Sequence, residues 1–309
     1  MTLKQRIKEL AFSNGLDYVG IAPIERFANC PEDHKPDVFL PGARSVISMG
    51  KKLSKGALIS HSNFYHRKIR DYYFTYLWFG YGANNLHFLD ETALIVTRLI
   101  EREGFIAFPM MASGIEDYRK APMAMVSHRH AAVAAGLGEF GWNNLFMTPD
   151  AGPRVRLVTM ITTAELEPDP MYSGDPICDK ERCKKEFGKG KNYPCAGACT
   201  MKVLDRSGKR YWEVEIGGRI YQYAQFDKFK SMWASLGLCK AALGKKEIPL
   251  PKGKIGMPEI ISGIAQVDLA QSLEMVVAGR SNYCGRCLNE CPVGMPKEVL
   301  DSFGGDQPC

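Results

Sequence analysis

Apolar positions near the start of the chain recur three and four residues apart, at Leu3, Ile7 and Leu10, and the pattern stops at Asn14-Gly15. That spacing predicts a helix with one buried face, ended by residues that tolerate the left-handed backbone. A short apolar run from Tyr18 to Ala22 predicts a strand, and Ser45 to Met49 predicts another after the turn pair Pro41-Gly42. Between Asn85 and Glu103 the set Leu86, Leu89, Ala93, Val96, Leu99 and Ile100 returns to a period of about 3.6 and closes at Gly104, so a long helix is expected. Phe105 to Met110 and Val155 to Ile161 read as further strands. Ala121 to Ala135, rich in Ala, Met and Val and free of Gly, reads as a buried helix closed by Gly136 and Gly138.

Beyond Glu165 this patterning fades. Pro168 and Pro170 mark a boundary, after which Lys, Gly and Cys dominate with little apolar periodicity, so the domains expected are 1–168 and 169–309. Within the second, Tyr211 to Ile216 and Arg219 to Tyr223 flank Gly217-Gly218, a two-residue hairpin signal. It reads as an insertion around 202–280 between cysteine motifs. The expected fold class is α/β (α+β).

Composition narrows the classes. A chain of 309 residues with 45% hydrophobic and 24% charged residues is a globular one, which excludes disorder, collagen-like repeats and a coiled coil. Forty basic against 34 acidic residues, a formal +6, is too mild an excess to mark a nucleic-acid binder. No run of 18 apolar residues exists, and Lys4, Arg6, Lys8 and Glu9 stand where a signal peptide needs an apolar stretch. The expectation is a cytoplasmic protein with no membrane partner.

Ten cysteines change that picture, because thiols in a reducing compartment are ligands more often than disulfides. Cys30 and Cys309 stand apart, while Cys178, Cys183, Cys195, Cys199, Cys239, Cys284, Cys287 and Cys291 crowd the second half, the count for two four-thiolate sites. Cys284, Cys287 and Cys291 are spaced CxxCxxxC and followed by Pro292, most of the bacterial ferredoxin run, whose last cysteine ligates the other cluster of a pair. The upstream four have spacers of 4, 11 and 3 residues, stretched by a Lys- and Gly-rich insertion. The ferredoxin exchange rule then gives one cluster Cys178, Cys183, Cys195 and Cys291 and the other Cys199, Cys239, Cys284 and Cys287. Zinc also accepts four thiolates, but its ribbons present two CxxC pairs and this chain has one. Two [4Fe-4S] clusters are therefore expected. Clusters pass single electrons, so a second redox centre in the first half is expected to meet the substrate.

The segment AAGLGEFGWNNLFMTPDAGPRVRL, the opening LKQRIKELAFSNGLDYVGIAP, the later LPGARSVISMG and the order of the eight cysteines together resemble the epoxyqueuosine reductase and reductive dehalogenase superfamily over nearly the whole chain. That resemblance implies a nitroreductase-like core that binds cobalamin (a corrinoid), followed by a ferredoxin-like double-cluster domain with the inserted hairpin. It also implies an oxidoreductase in which cobalt, reduced to Co(I), removes a halide or an oxygen substituent from a small-molecule substrate. The alternatives are an epoxyqueuosine reductase acting on tRNA and a two-cluster electron carrier without corrinoid. The sequence departs from the namesakes in two ways: Ala121-Pro122-Met123 replaces an acidic proton donor, and Trp142 stands where epoxyqueuosine reductases usually have Lys; a member without the C-terminal helical-repeat extension and the twin-arginine signal is expected. The expectation is a cytoplasmic branch with its own substrate.

Since tyrosine donates the proton in reductive dehalogenases, Tyr118 in GIEDYRK is the first catalytic candidate and Asp117 the second, against a plain polar loop. His128 is a third catalytic candidate and His130 a corrinoid contact; positions 128 and 130 are about 200° apart on a helix, so one of them is expected to face a pocket. Gly136, Gly138 and Gly141 offer a backbone that a flat cofactor can approach closely. Asn143, Asn144 and Thr148 supply uncharged hydrogen bonds of the sort corrin amides need, and Arg154, sharing a strand face with Arg156, a cation for a nucleotide phosphate. The run Tyr72 to Tyr81 is either a substrate wall or aromatic core. Lysines from Lys180 to Lys191 are either a solvated surface or the docking face for a ferredoxin or flavodoxin donor.

Overall fold

Thr2 opens the first helix, α1 (Leu3–Ser13), because its hydroxyl accepts the Gln5 amide while the Gln5 side chain accepts the Thr2 amide, which satisfies two amides that lack intrahelical partners. The structure, a computed structural model, describes residues 1–60, 75–113, 124–188, 192–199, 201–236, 238, 248–266 and 285–295. Strands β1 (Tyr18–Pro23), β2 (Ser45–Lys52), β3 (Ala107–Pro109) and β6 (Val155–Thr162) form an antiparallel sheet in the order β1-β2-β6-β3. Two short strands, β4 (Glu139–Phe140) and β5 (Phe146–Met147), make a separate pair.

Alternation along the strands gives the sheet two buried faces. Val19, Ile21, Ile47, Met49, Val158 and Met160 point to one core, shared with Ile7 and Ala11 of α1 and with Ala93, Val96 and Ile100 of α2 (Glu91–Arg102). Ala22, Val46, Leu157 and Ile161 point to the other, shared with the alanine-rich α3 (His128–Ala134). Small side chains let α3 lie close: a Cβ on Gly20 of β1 would stand 2.5 Å from the Ala135 carbonyl oxygen.

The expected elements appear with three changes. The helix read over Asn85 to Glu103 is a wide π-type turn, Thr75–Asp90, running into α2. The strand read over Phe105 to Met110 shortens to Ala107–Pro109, with Phe105 and Ile106 exposed ahead of it and the Met110 amide still donating to the Thr159 carbonyl just beyond it. The helix read from Ala121 begins only at His128, since Ser127 is extended and Ala124 to Val126 are irregular; 121–123 lie outside the described residues.

The chain forms two bodies. The first comprises Met1–Lys52, Ala83–Cys178 and Trp212–Tyr223, the second Leu53–Gly82, Asp179–Tyr211 and Ala224–Cys309. The inserted hairpin, β7 (Tyr211–Ile216) and β8 (Arg219–Ala224), turns at Gly217 and Gly218, both at positive φ as a type I′ turn requires. Sequence reading places it with the cysteine-rich half; Ile216 and Tyr223 instead bury in the core beside α3, so it belongs to the first body. In the second body α4 (Lys180–Glu186) is capped by the Asp179 carboxylate, and α5 (Pro194–Gly197) packs against α8 (Arg286–Asn289). There also α6 (Lys228–Ser235) packs on α7 (Met257–Ala265), whose Gly263 leaves room for the buried Trp233 ring. Among the described residues no helix is long and apolar enough to cross a membrane.

Candidate functional site

The first body holds a cavity of about 840 Å³ where the start of α3 meets the hairpin and the turn after β1. Its size lies within the roughly 300–1,000 Å³ usual for small-molecule sites. Ser127, His128, Arg129 and His130 all line it, so both histidines face the cavity. The angular argument for one alone fails because the wall crosses the end of the helix and not one of its sides.

Each polar residue there is anchored by a neighbour. His128 Nδ1 lies 2.8 Å from Thr159 Oγ1 and Nε2 2.8 Å from the Met111 carbonyl oxygen. A carbonyl only accepts, so Nε2 carries the proton and Nδ1 accepts from the threonine hydroxyl. Burial pushes its pKa down, and with both ring nitrogens engaged His128 positions α3 on the sheet; the catalytic role expected of it is not supported by this geometry. His130 Nδ1 pairs with Ser127 Oγ at 2.7 Å and Nε2 with the Tyr223 hydroxyl at 3.2 Å, and its ring packs on Phe140. Burial, with the adjacent Arg129 charge, pushes the His130 pKa down to about 3, so it is neutral at physiological pH. Arg129 Nη1 donates to the backbone carbonyl and to Oδ1 of Asn144, whose left-handed backbone, φ 61°, turns both oxygens toward it. Arg26, on the same cavity, donates through Nη1 to the carbonyls of Ala134 and Asp169 at 2.6 and 2.8 Å. Cys30 lines the cavity as well, its thiol 3.3 Å from the His34 carbonyl oxygen and its pKa raised by burial.

The residues expected to contact a corrinoid are engaged within the chain. Gly138 leaves no open backbone, because a Cβ there would stand 2.0 Å from the Met147 carbonyl oxygen; Gly136 meets the Pro170 carbonyl in the same way, while Gly141 meets the side chains of Met147 and Asn143. Thr148 Oγ1 accepts from the Ala151 amide and lies 3.1 Å from the Tyr18 hydroxyl. Asn143 Oδ1 accepts from the Leu145 amide, Asn144 holds Arg129, and Arg154 is buried. These side chains build the turn between α3 and β6, and no cradle for a corrin ring follows from them. Tyr118 and Asp117 lie outside the described residues.

Of the eight expected ligands, Cys178, Cys183, Cys195, Cys199, Cys287 and Cys291 are described; Cys239 and Cys284 lie outside. The Trp142 amide donates to Cys178 Sγ at 3.3 Å and the Val203 amide to Cys199 Sγ at 3.4 Å, the backbone bonding that cluster thiolates accept. Just ahead of Cys178, the Glu139 carboxylate accepts the Ile177 amide at 3.1 Å, so the first cysteine is fastened to the glycine turn of the first body. The packing of α5 on α8 brings the segment of Cys195 beside that of Cys287. Among the described residues no three His, Cys, Asp or Glu side chains converge as they do around a single metal ion.

No family model matches the sequence, and neither does any curated protein. Solved structures do match. A tagged variant of the catabolic reductive dehalogenase NpRdhA is similar over 96% of this chain and 33% of its own, with 16% identity and a TM-score of 0.58. A reductive dehalogenase structure concerned with B12-dependent dehalogenation is similar over the same shares, at 16% identity and 0.55. The chain shares its fold with about a third of each dehalogenase chain. An epoxyqueuosine reductase bound to a tRNA stem loop is similar over 94% of this chain and 65% of its own, at 16% identity and 0.48. Within the dehalogenase fold, Arg26, Tyr223 and Trp212 of the cavity escaped sequence reading. Tyr223 and Trp212 had only position as a signal, in the second and first strands of the hairpin, and Arg26 had none.

Proposed function

We propose that the chain is an iron–sulfur-dependent reductase acting on a small molecule, with a nitroreductase-like first body and a ferredoxin-like second body that carries two [4Fe-4S] clusters. The observation that carries this reading is Cys178: the first of the eight cysteines is bonded to the Trp142 amide on the turn that also supplies Asn144 to Arg129 of the cavity. Thiolates of Cys183, Cys195, Cys199, Cys287 and Cys291, with Cys239 and Cys284, complete the ligand count. When bound, the clusters supply electrons singly at low potential. The chain's own part is to hold the substrate against α3 and to keep water and oxygen from the reducing centre.

Cobalamin as that centre is supported by the fold shared with the dehalogenases and not by the residues at 130, 138, 143, 144, 148 and 154. Tyr118 remains the candidate proton donor and a ferredoxin or flavodoxin the candidate electron source. An acidic donor would match the lysines Lys180, Lys184 and Lys185 of α4 beside Cys183.

Anaerobic reconstitution followed by gel filtration and visible spectroscopy tests the reading. About eight irons per chain and retained corrin bands are expected. Zinc in place of iron overturns it. Iron with no corrin favours the electron-carrier alternative, and conversion of epoxyqueuosine in a tRNA anticodon loop favours the tRNA enzyme.

A further inference from the structure

Among the described residues two other than glycine hold a left-handed backbone, Asn144 at φ 61° and Lys202 at φ 51°. Asparagine visits this region readily and lysine does not, so the conformation at Lys202 is imposed by its surroundings. The imposing contacts lie just after it. Leu204 is buried and forms a bridge with Phe226. Asp205, also buried, accepts the Ser207 hydroxyl at 2.9 Å, the Lys209 amide at 3.1 Å and Arg210 Nε at 3.1 Å. The Lys202 side chain itself is exposed, so it gains nothing from packing that would offset an unfavourable backbone. Such strain persists where neighbours over-determine it, and it gathers where a function uses it.

What the conformation produces is a pair of successive amides aimed at one residue. The Lys202 amide donates to the Cys199 carbonyl at 3.0 Å. The next amide, Val203, whose direction is set by the φ and ψ of Lys202, donates to Cys199 Sγ at 3.4 Å. Consecutive amides turned the same way make a concavity for an anion, and a ligating cysteine is a thiolate. An N–H on that sulfur draws negative charge away from it, which favours the reduced, more negative form of the cluster it holds. We propose that Lys202 is a positioning residue for electron transfer: its left-handed backbone keeps the Val203 amide on Cys199 and so raises the reduction potential of the cluster that Cys199 ligates. In that step the cluster takes up one electron, and no bond is made or broken. The proposal rests on the iron–sulfur reading and adds to it which residue tunes one cluster. By the ferredoxin exchange rule Cys178, with its own bond from the Trp142 amide, belongs to the other cluster, so the effect of Lys202 is confined to one of the two.

An EPR-monitored redox titration of the reconstituted full chain, with dithionite as reductant, reads both potentials. Lys202→Asn and Lys202→Val lose the same charge and differ in how well they tolerate the left-handed backbone. One potential is expected to lie lower in Lys202→Val than in Lys202→Asn, by about tenfold in the reduction equilibrium, or about 59 mV for one electron, while the other stays the same. Equal potentials in the two variants overturn the proposal, and so does a shift of both clusters together. Pulsed EPR of the unaltered protein labelled with nitrogen-15 valine needs no variant, so a Lys202→Val chain that fails to load iron does not blunt the test. A valine nitrogen coupled to a reduced cluster is expected, and its absence overturns the proposal. Protein that takes up no iron overturns the iron–sulfur reading itself, whereas an iron-loaded protein whose potentials ignore residue 202 leaves that reading standing and sinks this proposal alone.

Discussion

Gly138 shows how a single residue changes meaning between sequence and structure. In the run AGLGEFG it reads as a place for a flat cofactor to approach, yet the backbone that approaches it is the chain's own, at Met147. Gly138→Ala is therefore expected to cost about 1–3 kcal/mol of stability, read as a lower melting temperature, because the added methyl meets a carbonyl and not a movable side chain. His130 makes a different prediction. Its pKa is pushed down to about 3 in the fold by burial and by Arg129, against about 6.5 in the unfolded chain. The unfolded chain then binds the extra proton first, so stability falls as pH drops below about 6.5 and continues falling toward 3. His130→Gln, which keeps a neutral polar group, is expected to lose less stability than the unaltered protein between pH 7 and pH 5, by up to about 2 kcal/mol, in denaturant titrations at the two pH values.

Among the elements, α1, β1, β2, α2 and β6 are legible because each carries a strong period and a clear stop. The α3 helix is not: the composition of Ala121 to Ala135 signals burial, but the start at His128 is set by the cavity and by the bonds of His128 to Thr159 and Met111. The hairpin is legible from Gly217-Gly218 alone, and its turn chemistry is testable. With φ 57° at Gly217, Asn is tolerated there and a β-branched residue is strained. Gly217→Asn is expected to leave the melting temperature nearly unchanged and Gly217→Val to lower it, by an amount corresponding to about 1–2 kcal/mol.

For the whole molecule, the two bodies differ in what holds them. The first has a sheet with a buried core on each face, while the described helices of the second are short and three of them carry a cysteine, Cys183, Cys195 and Cys287. Under the proposed function, iron bound by those thiolates would contribute directly to their folding. Removing iron under anoxic conditions is expected to speed amide exchange through Asp179–Tyr211 while β2 and β6 keep their protection, measured by hydrogen exchange and mass spectrometry. Equal loss in both regions is the outcome that contradicts a separate metal-held body.

By itself the sequence determined what repeats and what is rare: helix and strand periods, the hairpin glycines, and eight thiols whose order has few chemical uses. These signals are local, or depend only on residue type. The tertiary structure decided what depends on distance across the chain. It moved the hairpin from the cysteine-rich half to the first body, turned Asn144 onto Arg129, set Tyr223 against His130, and closed Gly138 against Met147. Each of these joins residues through side-chain reach and backbone crowding, which no spacing along a single strand or helix encodes.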